Sequence, residues 1–291
     1  MLKYFSKIEK HNQVYSCDMI RITFCADKCR FNEIAYFINF DCGCRPDVEI
    51  YPMDTRFAHY KYLVTFRYDD DATMTCGCGF NGPRAEDSFR GFVEFNPNKV
   101  AGIDQFQKDF AFLRSCFGVY EVPRLDVAVD LPSKRENVFL RKDSRKYRLD
   151  YKSAPDKSEY LGVRNTPGRV KVYNKSLESK LAQPLTRIEI TTEPTIDDFR
   201  KHIPEVYDFG IPVQQTLFQT LNKTDQVLLD LLLAAIVENR DHGMNLFNSL
   251  GRSKREKLKP FILPEAAHVK YDLDCVRQLF DNIRQQFQIS F

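Results

Sequence analysis

Four segments of the chain place acidic, basic or tyrosine side chains at alternate positions, with apolar residues between them. These segments are RGFVEFN (90–96), RLDVAVD (124–130), RVKVYNK (169–175) and RIEIT (187–191). Alternate residues of a β-strand lie on the same face, so each segment predicts a strand with one apolar and one polar face. Packed side by side, such strands would present a shared polar surface above an apolar core.

This polar surface would carry the residue types that phosphodiester chemistry requires. Carboxylates bind Mg²⁺ or Mn²⁺ through oxygen, and the cation polarises a phosphate. Lysine and arginine neutralise charge that develops on phosphate oxygens, and a tyrosine hydroxyl can attack the phosphorus. A solvated antiparallel sheet also alternates charges and tyrosines and forms cross-strand ion pairs. From the alternation alone, that ordinary exposed face is the more frequent case.

The elements that must position these residues follow from periodicity. The strand pattern also occurs at 18–26, 48–53, 60–68, 73–80 and 159–165. Apolar residues at helical spacing occur at 31–40 and 103–117. Beyond Pro194 the pattern becomes helical. We therefore predict an α+β fold of mostly antiparallel sheet with flanking helices, followed by an all-helical C-terminal region. The predicted domains are a catalytic α+β domain at 1–194 and a helical region at 195–291, for DNA recognition or dimerisation.

Composition is typical of a globular protein that interacts with no membrane. Of the 291 residues, 43% are hydrophobic and 29% charged, and the formal net charge is +3. No apolar run approaches the roughly 20 residues of a membrane span, and the N-terminus has no signal-peptide pattern, so we expect a cytoplasmic location. The basic residues concentrate at 133–157 and 252–259, which suits phosphate contact as well as ordinary solvated surface.

The nine cysteines include two Cys-Gly-Cys pairs, Cys42 with Cys44 and Cys76 with Cys78. Four thiolates could bind zinc, but structural zinc pairs usually have two residues between the cysteines. Both pairs are interpreted as strand-like sequence, in which alternate thiols simply pack. We expect buried or incidental thiols.

Several of these segments together resemble a known family. PRLDVAVDLP (123–132), EYLGVRNTPGRVKVYNKSLE (159–178) and LTRIEITTE (185–193), with GFVEFNPNKV (91–100) upstream, resemble in order and spacing the Rep_trans family of replication initiation factors. That family includes rolling-circle plasmid initiators, related phage initiators and some relaxases of integrative conjugative elements. The resemblance covers residues 89 to 193 closely, the first 88 residues weakly and the helical tail hardly at all.

The resemblance implies a rolling-circle replication initiator that nicks DNA site-specifically and transfers the strand through a 5′-phosphotyrosine intermediate. Tyr173 would be the nucleophile, with Tyr160 as the alternative. The implied cofactor is Mg²⁺ or Mn²⁺, and the candidate metal ligands are Asp126, Glu189, Asp130 and Glu94. The candidate phosphate contacts are Lys171, Lys175, Arg187, Arg124 and Arg164. His–hydrophobic–His pairs do not occur in the sequence, so the metal site should be rich in carboxylates.

The implied partners are origin DNA with a single-stranded or hairpin nick site, a host helicase of the PcrA or UvrD type, and a second copy of the chain. Contacts to origin bases are expected in the basic segments 133–157 and 252–259. One alternative is a relaxase of a conjugative element with the same chemistry. Others are a non-catalytic origin-binding protein and a DNA-binding regulator that uses the helical tail.

Overall fold

The computed structural model of the protein describes residues 7–10, 12–51, 59–69, 71–82, 89–151, 156–208, 221–262 and 267–291. A large antiparallel sheet occupies the first two thirds of the chain, and the C-terminal region is mainly helical. The predicted α+β class is confirmed.

The strands are β1 (Lys7–Lys10), β2 (Gln13–Cys25), β3 (Val48–Tyr51), β4 (Tyr60–Arg67), β5 (Thr73–Phe80), β6 (Arg90–Phe95), β7 (Val119–Leu131), β8 (Val138–Leu140), β9 (Tyr147–Tyr151), β10 (Lys157–Leu161), β11 (Val170–Asn174), β12 (Thr186–Thr192) and β13 (Val206–Asp208). The main sheet has the order β3-β4-β5-β6-β2-β7-β12-β11-β10-β9, and β1 pairs with β2. The strands β8 and β13 form a separate two-stranded ribbon.

The helices are α1 (Lys28–Tyr36), α2 (Pro97–Val100), α3 (Asp104–Ser115), α4 (Lys175–Glu178), α5 (Ile196–His202), α6 (Lys223–Glu238), α7 (Arg240–Ser249), α8 (Arg252–Ile262) and α9 (Leu273–Phe287). A π-helical turn (Phe37–Asp41) continues α1, and a 3₁₀ turn (Arg135–Asn137) precedes β8. The strand β13 lies within the region that the sequence pattern predicted as all-helical.

The predicted alternation places one face of the sheet in the main core. The apolar residues of β7, β11 and β12, such as Val127, Val172 and Ile188, are fully buried. Residues of α1, α3, α5 and α9 pack against them in the same core. Because helices cover this face, the opposite face is left for the polar side chains, and it is called the polar face below.

Two irregularities change which residues reach the polar face. Along β2 the buried apolar positions are Tyr15, Cys17 and then Ile20, so the apolar alternation skips one residue. The pairing of β2 with β7 shifts between Cys17 and Met19, as a β-bulge does. A second shift in the same pair lies opposite Pro123, which has no N–H to donate to a neighbouring strand.

The β8–β13 ribbon joins the main core to a smaller one. Val138 and Val206 belong to the main core, whereas Phe139 and Tyr207, which alternate with them, pack with α6, α7 and α8 in the smaller core. The C-terminal region therefore contributes to both cores, since α5 and α9 pack on the sheet. The division into domains at residue 194 stays a prediction.

The cysteine pairs differ from each other in their surroundings. Cys76 and Cys78 lie in β5 and are fully buried, and burial raises the pKa of Cys78 to about 12. The strand-like interpretation was wrong for the other pair, because Cys42 follows the π-helical turn and Cys44 lies in an exposed turn. In the described part of the chain, no helix has both the length and the apolar character needed to cross a membrane.

A buried ion pair fixes the strands β9 and β10 against the segment before β8. Arg135 and Glu159 are each 1% exposed and form a salt bridge, and Arg135 also donates to the carbonyl of Val138 at 2.6 Å. Tyr147 donates its hydroxyl to Glu159 at 2.8 Å. Both charges are therefore removed from water, and the ion pair and these hydrogen bonds compensate them.

Replacement of Arg135 by Met should lower the free energy of unfolding by about 3 kcal/mol, because it leaves the buried Glu159 charge with Lys157, at 3.5 Å, as its ion-pair partner in place of two cations. Urea denaturation measures this effect. As a control, Arg200→Met removes an arginine that is 58% exposed and paired with an exposed Asp197, and it should cost less than about 1 kcal/mol. Equal losses in the two variants would contradict the assignment.

Candidate active site

The strand order brings most of the predicted site residues onto neighbouring strands of the polar face. Across β10, β11 and β12, Tyr160 pairs with Lys171, and Lys171 pairs with Glu189. One step along β12 on the same face, Thr191 pairs with Asp126 of β7. The predicted acids and cations therefore meet on β7, β11 and β12, and β6 with Glu94 lies one strand beyond, on the far side of β2.

Tyr173 makes the central contact of this face. Its hydroxyl donates to Oε1 of Glu189 at 2.5 Å, and the Tyr173 side chain is almost fully buried. Lys171 lies over the Tyr173 ring, 3.6 Å from its centroid, and its Nζ is 3.8 Å from Oε2 of Glu189. Burial, followed by the charge of Glu189, raises the pKa of Tyr173 well above its ordinary value. A base must therefore remove the phenolic proton before or during any attack by this oxygen.

Glu189 has the properties of such a base. Burial, aided by the neighbouring Asp18 and opposed by Lys171, raises the pKa of Glu189 to about 7. Burial also acts to raise the pKa of Asp18, but the Arg187 charge and hydrogen bonds from Glu189 and Asn96 leave it below its ordinary value. Asp18 is thus ionised, and a protonated Glu189 can donate to it. A carboxyl group that titrates near pH 7 is suited to proton transfer.

Asp126 is the second acid of this face without an arginine ion pair. Its carboxylate accepts a hydrogen bond from the Thr191 hydroxyl at 2.7 Å. Burial raises its pKa, although Thr191 and Arg124 act in the opposite direction. Because Thr191 and Glu189 share a face of β12, Asp126 and Glu189 are diagonal neighbours across β7 and β12.

The other two predicted metal ligands, Asp130 and Glu94, form ion pairs with arginine. Arg187, itself buried, donates to both oxygens of Asp130 at 2.6 and 2.7 Å. Glu94 accepts from Arg21 at 3.1 Å and from Arg124 at 3.0 Å. Asp130 and Glu94 therefore act as ion-pair partners in this structure. Arg187, predicted as a phosphate contact, is held within the sheet.

A cavity of about 400 Å³ opens on the polar face above Asp126 and Glu189. Its basic lining residues are Arg124, Arg148, Arg164, Arg169 and Lys171. Tyr160, Asn165 and Thr191 complete the lining. Three predicted phosphate contacts, Arg124, Arg164 and Lys171, are thus brought together, whereas Lys175 lies outside and pairs with Glu178 at 2.5 Å. Five cations around two acids make a site with the charge to hold a phosphate.

The loop between β10 and β11 closes one side of this cavity. Gly162 and Gly168 bracket it with φ values of +80° and +87°, and at either position a Cβ would lie within 2.8 Å of other atoms. Between them, Arg164 and Asn165 reach the cavity. The two glycines let the loop fold back closely over the strands.

Tyr160 occupies a different position from Tyr173. It is partly exposed in the cavity, and the guanidinium groups of Arg148 and Arg169 lie 4.4 and 4.6 Å from its ring centroid. Tyr160 is therefore the more accessible phenol, and Tyr173 is the one that is bonded to a carboxyl group. The two candidates lie on adjacent strands.

The donor chemistry of the site fits a hard cation only in part. Among the described residues, no group of three or more His, Cys, Asp or Glu side chains is arranged to hold a metal ion. Mg²⁺, however, usually binds one or two carboxylates together with substrate phosphates and waters. Asp126 and Glu189, both with raised pKa, are the pair that fits this mode, since a cation would stabilise their ionised forms.

Sequence reasoning missed Asp18, which bonds Arg187 at 2.9 Å and Asn96 at 3.1 Å. A strict alternation along β2 puts Asp18 on the core face with Ile20, and the bulge reverses this. The break in apolar spacing between Cys17 and Ile20 was the available signal. Arg148 and Arg169 were also not among the predicted phosphate contacts.

A second basic groove lies away from the polar face. A cavity of about 350 Å³ between the segment after β8 and the helices α7 and α8 has the basic lining residues Arg141, Lys142, Arg255 and Lys259, with Glu256 as its acid. The two basic segments singled out in the sequence, 133–157 and 252–259, therefore meet at this groove.

No protein-family model matches the chain, and no curated protein matches it. A solved structure described as the rolling circle replication initiator protein from Geobacillus stearothermophilus is similar over 60% of this chain and 73% of its own, with 14% sequence identity and a TM-score of 0.35. At this TM-score the similarity assigns no role to any residue.

The raised pKa of Glu189 predicts a pH-dependent stability. The folded state holds the proton more tightly than the unfolded chain, in which the ordinary value is 4.5. Glu189 thus stabilises the fold at low pH, and this contribution is lost as the pH rises from 4.5 to about 7. The stability difference between wild type and Glu189→Gln should fall by up to about 1.4 kcal/mol per pH unit in this range.

Urea denaturation at several pH values between 4.5 and 7 tests this expectation. Glu49→Gln is the matched control, because Glu49 is exposed and its bond to Arg67 lowers its pKa. Its effect on stability should stay constant once the pH is more than about one unit above 4.5, where Glu49 is ionised in both the folded and the unfolded state. A constant difference for Glu189→Gln as well would show that Glu189 is ionised throughout.

Proposed function

We propose that the protein is a DNA strand-nicking and strand-transfer enzyme of the replication-initiator kind, with Tyr173 as the nucleophile. The observation that carries the proposal is the 2.5 Å hydrogen bond from the Tyr173 hydroxyl to Glu189, a carboxyl group with a pKa of about 7 that lines a cavity rich in arginine. Nucleophile, base and phosphate-binding cations are thus adjacent.

In the proposed reaction the Tyr173 oxygen attacks the phosphorus of the scissile phosphodiester. The phenolic proton passes to the Glu189 carboxylate, and a new bond joins the Tyr173 oxygen to phosphorus. The bond from phosphorus to the 3′ oxygen breaks, and that oxygen leaves with the electron pair and takes up a proton from water. The products are a 5′-phosphotyrosine ester and a free 3′ hydroxyl. Attack on the phosphotyrosine by the same 3′ hydroxyl would reverse the step. Attack by a different 3′ hydroxyl would transfer the strand to it.

The cations of the cavity would bind and orient the scissile phosphate. Arg124, Arg169 and Lys171 surround the acids and would neutralise the charge that develops on the phosphate oxygens. Asp126 and Glu189 would hold Mg²⁺ or Mn²⁺ together with the DNA phosphate, and this cation would supply Lewis-acid polarisation. After the proton transfer, Asp18 would accept a hydrogen bond from the protonated Glu189 and so stabilise the proton on it.

Tyr160 is the competing nucleophile, and its favourable observation is its exposure inside the cavity beneath two arginines. Its hydroxyl needs less rearrangement to meet a bound phosphate than the buried Tyr173. Tyr173 is preferred because proton removal is the chemical requirement, and its hydroxyl is already bonded to Glu189.

Origin DNA is the proposed partner, and the second basic groove offers contacts for the duplex beside the nick site. For the proposed homodimer, the contact surface to examine is α6, where Val227 and Leu231 are 60% and 64% exposed one helical turn apart. The PcrA- or UvrD-type helicase and the plasmid, phage or conjugative setting rest on the family resemblance alone. A relaxase would use the same chemistry, whereas a non-catalytic origin-binding protein would form no adduct.

The covalent adduct tests the proposal directly. Wild-type protein incubated with single-stranded or supercoiled origin DNA and Mg²⁺ or Mn²⁺ should form a protein–DNA adduct, visible as a shifted band under denaturing conditions. Tyr173→Phe should abolish it while DNA binding is retained. Tyr160→Phe is the matched control and should keep the adduct. The reverse result would assign the nucleophile to Tyr160, and no adduct in wild type would favour a binding protein.

The rate of adduct formation should depend on the ionisation of Glu189. As a base it must be deprotonated, so the single-turnover rate should increase with pH and level off once Glu189 is ionised, at or below about 7 because a bound cation stabilises the ionised form. Glu189→Gln should lower the rate by about 10²–10⁴ and remove this inflection. Glu49→Gln, which alters an exposed acid on the distant strand β3, should leave both unchanged. An inflection retained in Glu189→Gln would assign the base to another group.

A further inference from the structure

A second cavity lies at the far end of the polar face, where β2 ends and β6 and β7 begin. Its volume is about 510 Å³, and its lining includes Thr23, Tyr60, Phe80 and Glu121. It shares no lining residue with the arginine-rich cavity. None of its residues takes part in the nicking reaction proposed above.

The aromatic rings of Tyr60 and Phe80 line this cavity. Tyr60 lies 5.5 Å from Phe80 and 5.0 Å, edge to face, from Phe92. The Phe92 ring lies directly on the backbone of the next strand, because a Cβ at Gly77 would be 2.4 Å from it. The guanidinium of Arg21 covers the ring from the other side, 4.0 Å from its centroid. The Phe92–Arg21 pair lies beside the cavity and holds Tyr60 in place, and the Tyr60 and Phe80 rings, tilted by 54° to each other, face the cavity itself.

The rim of the cavity is polar. The Thr23 hydroxyl donates to Glu121 at 3.2 Å, and both side chains are exposed to solvent there. Carboxylate and hydroxyl oxygens of this kind accept hydrogen bonds from the N–H groups of a nucleobase edge. Partly exposed aromatic rings with a few polar groups at the edge suit a planar heterocycle.

A row of bonded side chains leads from Phe92, beside this cavity, to the arginine-rich cavity. Glu94 bonds both Arg21, which covers Phe92, and Arg124, which lines the arginine-rich cavity. On β7, Glu121 lines the cavity around Tyr60 and Phe80, and Asp126 lines the arginine-rich cavity. The two residues are five positions apart, which corresponds to about 16 Å at the usual rise of a strand. A single DNA strand whose phosphate occupies the first cavity can place a base in the second within a few nucleotides.

We infer that the cavity around Tyr60 and Phe80 binds an unpaired nucleobase of the DNA strand that lies across the polar face. This inference rests on the proposed function for its ligand class. Stacking on an aromatic ring tolerates any base, because every base has a π face. The cavity would therefore hold the strand in register next to the site of cleavage and contribute affinity without strict sequence preference.

Fluorescence anisotropy with a labelled short oligo(dT) and an abasic oligonucleotide of the same length tests the inference. Binding is measured in EDTA so that cleavage does not interfere. Tyr60→Leu and Phe80→Leu should each weaken oligo(dT) binding at least about fivefold, the usual effect of losing one base–aromatic stack, and leave abasic binding unchanged. Tyr60→Phe keeps the ring and should retain wild-type affinity.

The matched control is the double variant Tyr36→Leu with Phe40→Leu, which removes a stacked pair that is 58% and 66% exposed on α1 and the π-helical turn. It should leave both affinities unchanged. Unchanged oligo(dT) binding in folded Tyr60→Leu and Phe80→Leu, or an equal loss for the abasic strand, overturns the inference. Base-dependent binding that persists in a protein that forms no adduct would overturn the proposed nicking function and leave the base site standing.

Discussion

A carboxyl group that is buried beside another carboxylate is costly to ionise, and Glu189 occupies such a place. Its neighbours set its state: Asp18 favours the proton, Lys171 opposes it, and Tyr173 donates a hydrogen bond to it. The polar face is arranged around this group, since the same neighbours link β2, β11 and β12. Its pKa near 7 makes one side chain both a source of pH-dependent stability and a proton acceptor for an adjacent phenol.

The fold was largely predictable because it depends on alternation, a property of short stretches of sequence. The strands around Val127, Val172 and Ile188 form where the period of two places them, and their buried faces follow. The site was predictable only as a set of residue types. Which acids remain without an arginine partner depends on strand order, and the sequence gives no direct signal that Asp130 lies opposite Arg187 while Asp126 lies opposite Thr191.

Asp18 illustrates the limit of periodicity more sharply. One bulged residue moves the side chains that precede it in the strand to the opposite face of the sheet. A side chain that the pattern places in the core therefore reaches the polar face instead. Without that bulge, Glu189 would lose the carboxylate neighbour that helps to raise its pKa. Bulges are frequent beside functional sites, and here the irregular position is the one that completes the acidic group.

The β8–β13 ribbon has a consequence for how the molecule comes apart. Its alternate residues belong to two different cores, Val138 and Val206 to one and Phe139 and Tyr207 to the other. Loss of the α6–α8 helices would expose one side of a two-stranded ribbon whose other side packs in the main core. Local opening of the helical part would therefore expose apolar surface of the ribbon itself, so we expect the amides of the ribbon and of α6–α8 to exchange together.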